Sequence, residues 1–547
     1  MFEISTTRRV FKFLNNESKS VVGAAAIVGM LSFASRIVGL MRDRILLGHF
    51  GAGSTLDAYY AAFRLPDLLF SLLVVGSLSA GFIPIFTRYW HNPLQKKRAW
   101  EFANNALNAI GIVMAAACAT LFVFADPLSE LMAPGFDAVQ RGLVADNTRV
   151  MLLAQFVLAL SVVYGSVLQG MKRFLLFSLA PIFYNVGIIA GALWLTPAFG
   201  PIGLAWGVVL GAFLHFLVQL YGALEAGYRY KPHLSRKDPD LRELARLTGP
   251  RMLGVAVNQI SFVALTVLAT TLAVGSVTVF QVAYNIQFFV VGIVGVSYAI
   301  AAFPALSEAI ESRDNKRFIG TFEHSIRHIL FFSVPLMLVF LVLRAQIVRV
   351  VAGAGLFGWA DTIRAADTLA FFTLSFAPQC AVYILARGFF ALRDTTTPLT
   401  MGAVSAVLSF VSGLYFAREL GVAGMAIGFT VGAFANCVLL WVSLRQRMGT
   451  LHESSILRSL YVIVTAATAC AVTVQFLKPL IVVLVPLDTF LGVLFQGLVA
   501  GGAGLVAYVA ICHALKSREL ADVLAGVQRR VLKKAEPEET VVAEGAG

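Results

Sequence analysis

Residues Gly203-Leu204-Ala205-Trp206-Gly207-Val208-Val209-Leu210-Gly211-Ala212-Phe213 return 221 positions later as Gly424-Met425-Ala426-Ile427-Gly428-Phe429-Thr430-Val431-Gly432-Ala433-Phe434. Gly and Ala at spacing four form a smooth stripe on one face of a helix, and such stripes let two helix backbones approach closely. The stripe alone predicts tight helix packing. The shared offset of every matching pair predicts more, namely that the chain was duplicated. Pro84 and Pro304 stand 220 apart, each near the end of an apolar run. Pro181 and Pro398 precede the two blocks by similar distances, each behind a short basic loop, Lys172-Arg173 in one case and Arg393 in the other.

The surroundings of these blocks fix the class. The chain has 547 residues, 58% hydrophobic and 13% charged, with mean hydropathy +0.80. Soluble domains carry about 25% charged residues. Apolar runs of about 20 residues, the length that crosses a bilayer core, recur from 22–47 and 60–87 through to 456–477 and 488–515, fourteen in all. The expected fold is an all-α polytopic membrane protein of about fourteen transmembrane helices. Residues 1–225 form an N-terminal lobe with spans 1–6, and 226–447 a pseudo-symmetric second six-helix lobe with spans 7–12. Residues 448–516 add spans 13 and 14, and 517–547 a cytoplasmic tail whose end is disordered. Six is an even number, so both copies insert the same way up and leave a cleft for alternating access.

The net charge of +13 reads as topology rather than nucleic-acid binding. Lys and Arg gather in alternate loops (Arg88 with Lys96–Arg98, Lys172-Arg173, Arg229–Arg246, Arg313–Arg317, Arg393, Arg445–Arg447) and in the tail. Short cytoplasmic loops collect such residues, so both termini are expected in the cytoplasm, in a bacterial-type inner membrane. Arg8, Arg9, Lys12 and Lys19 precede a first run too long for a cleavable signal. Cys118, Cys380, Cys437, Cys470 and Cys512 all lie in apolar runs without metal or redox spacing. Neither a cofactor nor a metal set is expected. No Gly-rich phosphate loop followed by Lys-Ser/Thr occurs, so ATP is not the direct drive.

The first apolar run contains charge: Ser35-Arg36-Ile37-Val38-Gly39-Leu40-Met41-Arg42-Asp43-Arg44. Each such group costs roughly 2.5–3.5 kcal/mol at a bilayer centre on insertion scales. Arg36 and Asp43, seven apart, share a helix face, so they could pair to lock the helix to a neighbour while Arg42 and Arg44 snorkel. Alternatively the face is a cationic cleft for an anionic headgroup, since the planar arginine fork suits phosphate. Asp57 and Arg64, also seven apart, begin the next run, and Asp57 could equally be a cap. The corresponding runs of the second lobe offer Asn258, Gln259, Asn285 and Gln287 instead, residues that often only bridge helices.

At these positions the chain resembles the MurJ/MviN family. The matching pieces are 35–43, Phe50-Gly51-Ala52-Gly53, Leu56-Asp57-Ala58-Tyr59, Phe63-Arg64-Leu65-Pro66-Asp67, Phe82-Ile83-Pro84, Ala133-Pro134-Gly135-Phe136, Ala180-Pro181 with Asn185, and Gly249-Pro250. That family flips lipid II, the undecaprenyl-linked peptidoglycan precursor, within the multidrug/oligosaccharidyl-lipid/polysaccharide exporter superfamily. The resemblance implies that Ser35, Arg36, Arg42 and Asp57 lie in a central cavity, with Arg36 and Arg42 on the diphosphate and adjoining sugar; Arg64, Asp43 and Asn285 complete the candidate substrate-binding set. It also implies a groove at spans 13 and 14 for the polyprenyl tail. The chain departs from the family's charged pattern at Phe70, Ser71, Val75 and Asn285. Span 11 offers Ser405, Ser409 and Ser412 but no carboxylate for a sodium site. The expected partners are lipid II or a related polyprenyl-diphosphate saccharide and membrane lipids, with no nucleic acid, and the chain is expected to act as a monomer. A drug/cation antiporter would want buried carboxylates in the cleft. An enzyme would want catalytic carboxylates in large outer loops, and Asp126, Glu130, Asp137, Asp146, Asp361 and Asp367 sit in short ones.

Overall fold

The computed structural model describes residues 21–75, 81–232, 234–235 and 237–533. Every regular element among them is helical. Arg8, Arg9, Lys12 and Lys19, and the tail from Lys534 that reads as disordered, lie outside the described residues. The chain packs into two compact units. The first comprises residues through Asn285 with Val348–Phe371 and Leu399–Gly432, and the second Ile286–Ile347, Phe372–Pro398 and Ala433 onward.

The helix Ala138–Gly170 is the spine of the first unit, 33 residues and so about 50 Å long. Gly203–Glu225, Lys96–Val123 and Ser54–Ala62 pack on it, and the first helix, Val21–Phe50, runs along Phe174–Ala190. Phe82, Phe86 and Phe102 are fully buried and continue through Trp90, Trp100, Tyr228 and Tyr164 with ring centroids 5.1–5.9 Å apart. The connection to residue 238 is tied to the helix Lys96–Val123. Asn104 donates to the Arg229 carbonyl and accepts from Tyr228 and Lys231, while Asn105 accepts from the Ser235 amide and donates to Asp238. Burial would raise the Asp238 carboxyl, but hydrogen bonds from Arg98, the Asp240 amide and Asn105 hold it below its ordinary range.

The glycine stripes make the close approach that the sequence predicts, and make it twice. A Cβ on Gly207 would stand 2.5 Å from the Gly191 Cα, and one on Gly211 2.4 Å from the Tyr184 carbonyl. On the partner block, a Cβ on Gly428 would stand 2.3 Å from the Gly413 Cα, and one on Gly432 2.5 Å from the Ser409 Cβ. The turns recur in register too. Lys172 and Arg393 adopt left-handed φ of 60° and 59°. Each is followed by the same helix-closing bond, Arg173 N to Leu168 O at 2.8 Å and Asp394 N to Phe389 O at 2.9 Å, as in a Schellman motif. Gly200 and Gly421, φ 71° and 55°, repeat at the entrance to the two stripes, where a Cβ would be strained. Five-residue π turns interrupt Ser71–Val75 and Gly292–Val296, again 221 residues apart, and a third occurs at Gly191–Leu195.

Among the described residues nine helices are long and apolar enough to cross a membrane, or eleven if each of two bent pairs is one span. The count of fourteen is not confirmed by that measure. Two expected spans merge in the continuous stretch Phe174–Glu225, interrupted by the π turn Gly191–Leu195 and the 3-10 turn Gly200–Ile202. The first helix carries Arg36, Arg42, Asp43 and Arg44, and the expected second span passes through residues 76–80, which are not described.

In the second unit Glu453–Val482 and Phe490–Ala514 pack together and against Asn315–Val342. The Tyr508 hydroxyl donates to the Phe331 carbonyl at 2.8 Å, and Lys478 donates to the Val342 carbonyl at 3.0 Å. The last helix, Arg518–Lys533, is docked by its first turn. Glu519 is buried and accepts from Arg327, Ser459 and Ser517 at 2.6–2.7 Å. Burial opposes that charge, but the hydroxyl and guanidinium bonds outweigh it and hold the carboxyl down at about 2.

Candidate functional site

The seven residues singled out by sequence all fall in the first unit. Arg36 is exposed and Ser35 half-buried on the first helix. Arg42 is three-quarters buried. Its Nε and Nη2 donate to Asp43 Oδ1 at 2.9 and 2.6 Å, and its Nη1 donates to Asn185 Oδ1 at 2.9 Å. The neighbouring arginine, rather than Arg36 seven residues back, is thus the partner of Asp43, because a long guanidinium can fold back over the next turn. Asn185 is buried and donates its Nδ2 to the Pro181 carbonyl at 3.1 Å, four residues back on its own helix. Gly39 leaves room for it, with both Asn185 terminal atoms 3.9 Å from where a Cβ would be. Arg44 does not simply reach for an interface. It donates to the Arg349 and Val350 carbonyls at 3.3 and 2.6 Å, last-turn acceptors of the helix Arg344–Val351, the first of which also accepts from the Gly353 amide.

Asp57 is 1% exposed. Its carboxylate accepts from the Gly275 amide at 2.6 Å, the Thr278 amide at 2.8 Å and the Thr278 hydroxyl at 2.7 Å. It caps the helix Ser276–Val291 from a different helix, satisfying amides that have no partner within their own. The capping role that its position allowed is therefore the one found in this state.

Arg64 is buried. Nη2 donates to Gln281, whose Nε2 donates to Asn285 Oδ1 at 2.8 Å. The guanidinium lies over the Phe262 ring, 4.2 Å from its centroid. Nε is buried without a hydrogen-bond partner among the described residues. The guanidinium thus has a neutral amide, an aromatic face and the nearby Asp67 carboxylate as its charge partner, with one N–H left over for an arriving anion. Ser71 accepts from Gln259 Nε2 at 2.7 Å, so at that departure from the family pattern a neutral bridge stands where charge was expected. Phe70 packs partly buried against the aromatic core.

Sequence reasoning did not assign Asn185, Gln281 or Phe262. Asn185 was visible as a polar residue one turn after Pro181 in an apolar run. Gln281 and Phe262 carried no signal of their own. Asp67, three residues after Arg64, accepts from Gln155 at 3.0 Å, and a carboxylate inside an apolar run could have been flagged.

The family model described as "Lipid II flippase MurJ" matches residues 48–492. The "Probable lipid II flippase MurJ" of Vibrio cholerae is 27% identical over 466 residues, covering 83% of this chain and 86% of the relative. The "Lipid II flippase MurJ" of Burkholderia cenocepacia is 28% identical over 437 residues, covering 78% and 84%. Among solved structures, a lipid II flippase MurJ in an inward closed conformation aligns with TM-score 0.73 and 21% identity over 90% of this chain and 99% of that one. An inward-facing multidrug resistance MATE family transporter aligns with TM-score 0.66 and 16% identity over 79% and 99%. At these identities the structural likeness establishes the fold, which flippases and drug transporters share.

Proposed function

Because this chain belongs to the lipid II flippase MurJ family, we propose that it moves lipid II from the cytoplasmic to the outer leaflet of the bacterial inner membrane. The observation that carries this reading is the family match across residues 48–492. It includes the buried, part-compensated Arg64, and the amide-oriented Arg42 lies six residues before it begins. Arg36 and Arg42 bind the diphosphate and adjoining sugar, Ser35 and Asp43 adjust their orientation, and Asn285 acts through Gln281 on Arg64. Asn185 and Asp43 present the Arg42 fork at a fixed angle, which reduces the ordering cost when two phosphate oxygens arrive. Asp57 acts on geometry rather than on substrate in the state described, by anchoring the start of the helix Ser276–Val291. The apolar surface of spans 13 and 14 takes the polyprenyl tail. Two similarly oriented lobes, 1–225 and 226–447, rock to give alternating access, with both termini in the cytoplasm and the chain acting as a monomer. Moving one charge through 100 mV is worth roughly 2.3 kcal/mol, so the membrane potential can drive an anionic headgroup outward without ATP.

The test is rescue of a host whose own flippase is depleted, following labelled lipid II with wild type, Arg36→Ala and Arg42→Ala. Wild type should clear the accumulated lipid and the variants should not. No rescue by a well-expressed wild type would overturn the lipid II assignment and point to another polyprenyl-diphosphate saccharide. Full rescue by both variants would overturn the site assignment.

A further inference from the structure

A cluster in the second unit is unconnected with the cationic face. His324 and His328 lie one turn apart on the helix Asn315–Val342, and Asp522 faces them from the C-terminal helix Arg518–Lys533. His324 Nδ1 is 3.9 Å and His328 Nε2 3.8 Å from Asp522 Oδ2, and one donor atom from each of the three residues lies within 4.8 Å of the others. We propose that these three side chains bind a divalent transition-metal ion of the zinc type, which staples the C-terminal helix to the helix Asn315–Val342.

Three observations support the assignment. The donor set, two imidazoles and a carboxylate with a coordination position left for water, is that of zinc and its neighbours rather than of the oxygen-seeking magnesium or calcium. The buried His328 has its Nδ1 2.9 Å from the His324 carbonyl. That contact fixes the tautomer in which Nδ1 carries the proton and Nε2 offers its lone pair toward Asp522, as histidine ligands commonly do. The two helices are already held together one turn away, where Glu519 accepts from Arg327 and Ser459. Glu519 and Asp522, three apart, share a helix face, so docking by the first delivers the second.

Ligand atoms about 2 Å from a tetrahedral ion are roughly 3.4 Å from one another, closer by up to about 1.4 Å than the spacing here, which is within 4.8 Å. His324 and Asp522, 64% and 50% exposed, have the rotamer freedom to close that gap. His328 stays fixed as the anchor.

The experiment uses the full chain, purified in detergent with its affinity tag removed. Zn2+ is titrated against a chromophoric chelator, and a spin label on Ala521 reports the mobility of the last helix. Wild type should bind one Zn2+ at micromolar or tighter affinity, and the label should become less mobile as Zn2+ is added. Asp522→Asn and His324→Ala, both at exposed positions that leave the Glu519 dock intact, should each weaken binding at least tenfold and abolish the immobilisation. His513→Ala, at an exposed histidine outside the cluster, should do neither, and Mg2+ should not substitute. Absence of stoichiometric Zn2+ binding by wild type, or retention of wild-type affinity in both cluster variants, would overturn the proposal.

Discussion

The consecutive helices Ser54–Ala62 and Arg64–Phe70 and the helix Ser276–Val291 occupy corresponding places in the two copies of the repeat, and they differ in what they carry. The pair has Asp57 and Arg64, and 221 residues later the single helix has Thr278 and Asn285. These counterparts meet one another. Asp57 accepts directly from Thr278, and Arg64 reaches Asn285 through Gln281. Where a duplicated chain brings a residue against its own copy, retaining both charges would set carboxylate against carboxylate and guanidinium against guanidinium. Like charges so placed repel unless a counter-ion lies between them. Keeping charge on one side and a hydrogen-bonding neutral group on the other resolves the conflict. The framework tells the opposite story, with Gly207 and Gly428, Gly200 and Gly421, and Lys172 and Arg393 retaining the same geometry in both copies. Backbone shape was kept twice, and charge once.

That contrast can be broken most forcefully on the charged side. Arg42→Ala should reduce flipping in reconstituted vesicles roughly 30-fold, equivalent to about 2 kcal/mol for a charged hydrogen-bonding group. Arg42→Lys, lacking the fork, should recover only part of the loss. Equal activity of the two variants would show that charge rather than bidentate geometry matters. On the shared side, Gly207→Ala and Gly428→Ala should each destabilise by about 1–3 kcal/mol through overpacking, with similar losses in thermal unfolding in detergent. A loss at only one position would mean that the two seams are not equivalent. Asp57→Ala should cost about 1–2 kcal/mol as a lost helix cap. Hydrogen exchange should quicken at the Gly275 and Thr278 amides, while unchanged exchange there would remove the cap from the account. The smallest effect is expected from Asn285→Arg, which sets a second guanidinium near Arg64. It should lower the melting temperature by a few degrees without ligand and restore it when pyrophosphate is added. Indifference to pyrophosphate would count against an anion site between these helices.

Much of the framework was legible because it rests on local signals. Run length and hydropathy announce spans, and the offset of the glycine blocks announces duplication before any contact is known. The charged first helix was legible for the same reason, since Arg36, Arg42 and Asp43 stand out against their neighbours. Their partners were not, because Asn185 is 143 residues from Arg42 and Gln281 is 217 from Arg64. Helical periodicity placed Arg36 and Asp43 on one face, but a flexible guanidinium one residue away reached the carboxylate instead. The His324–His328 pair has ligand spacing in sequence, yet without Asp522 from the last helix it reads as two ordinary histidines.

The two π turns at Ser71–Val75 and Gly292–Val296 have a mechanical consequence. Each holds one residue more than an α turn would, so it stores one step of helical phase. If the wide turn tightens into an α turn, the helix beyond it must turn by roughly 100° about its own axis. At Gly292–Val296, which runs on into Ser297–Glu311, such a clutch would let the following helix change the face it offers by rotation, with no need to tilt or unravel.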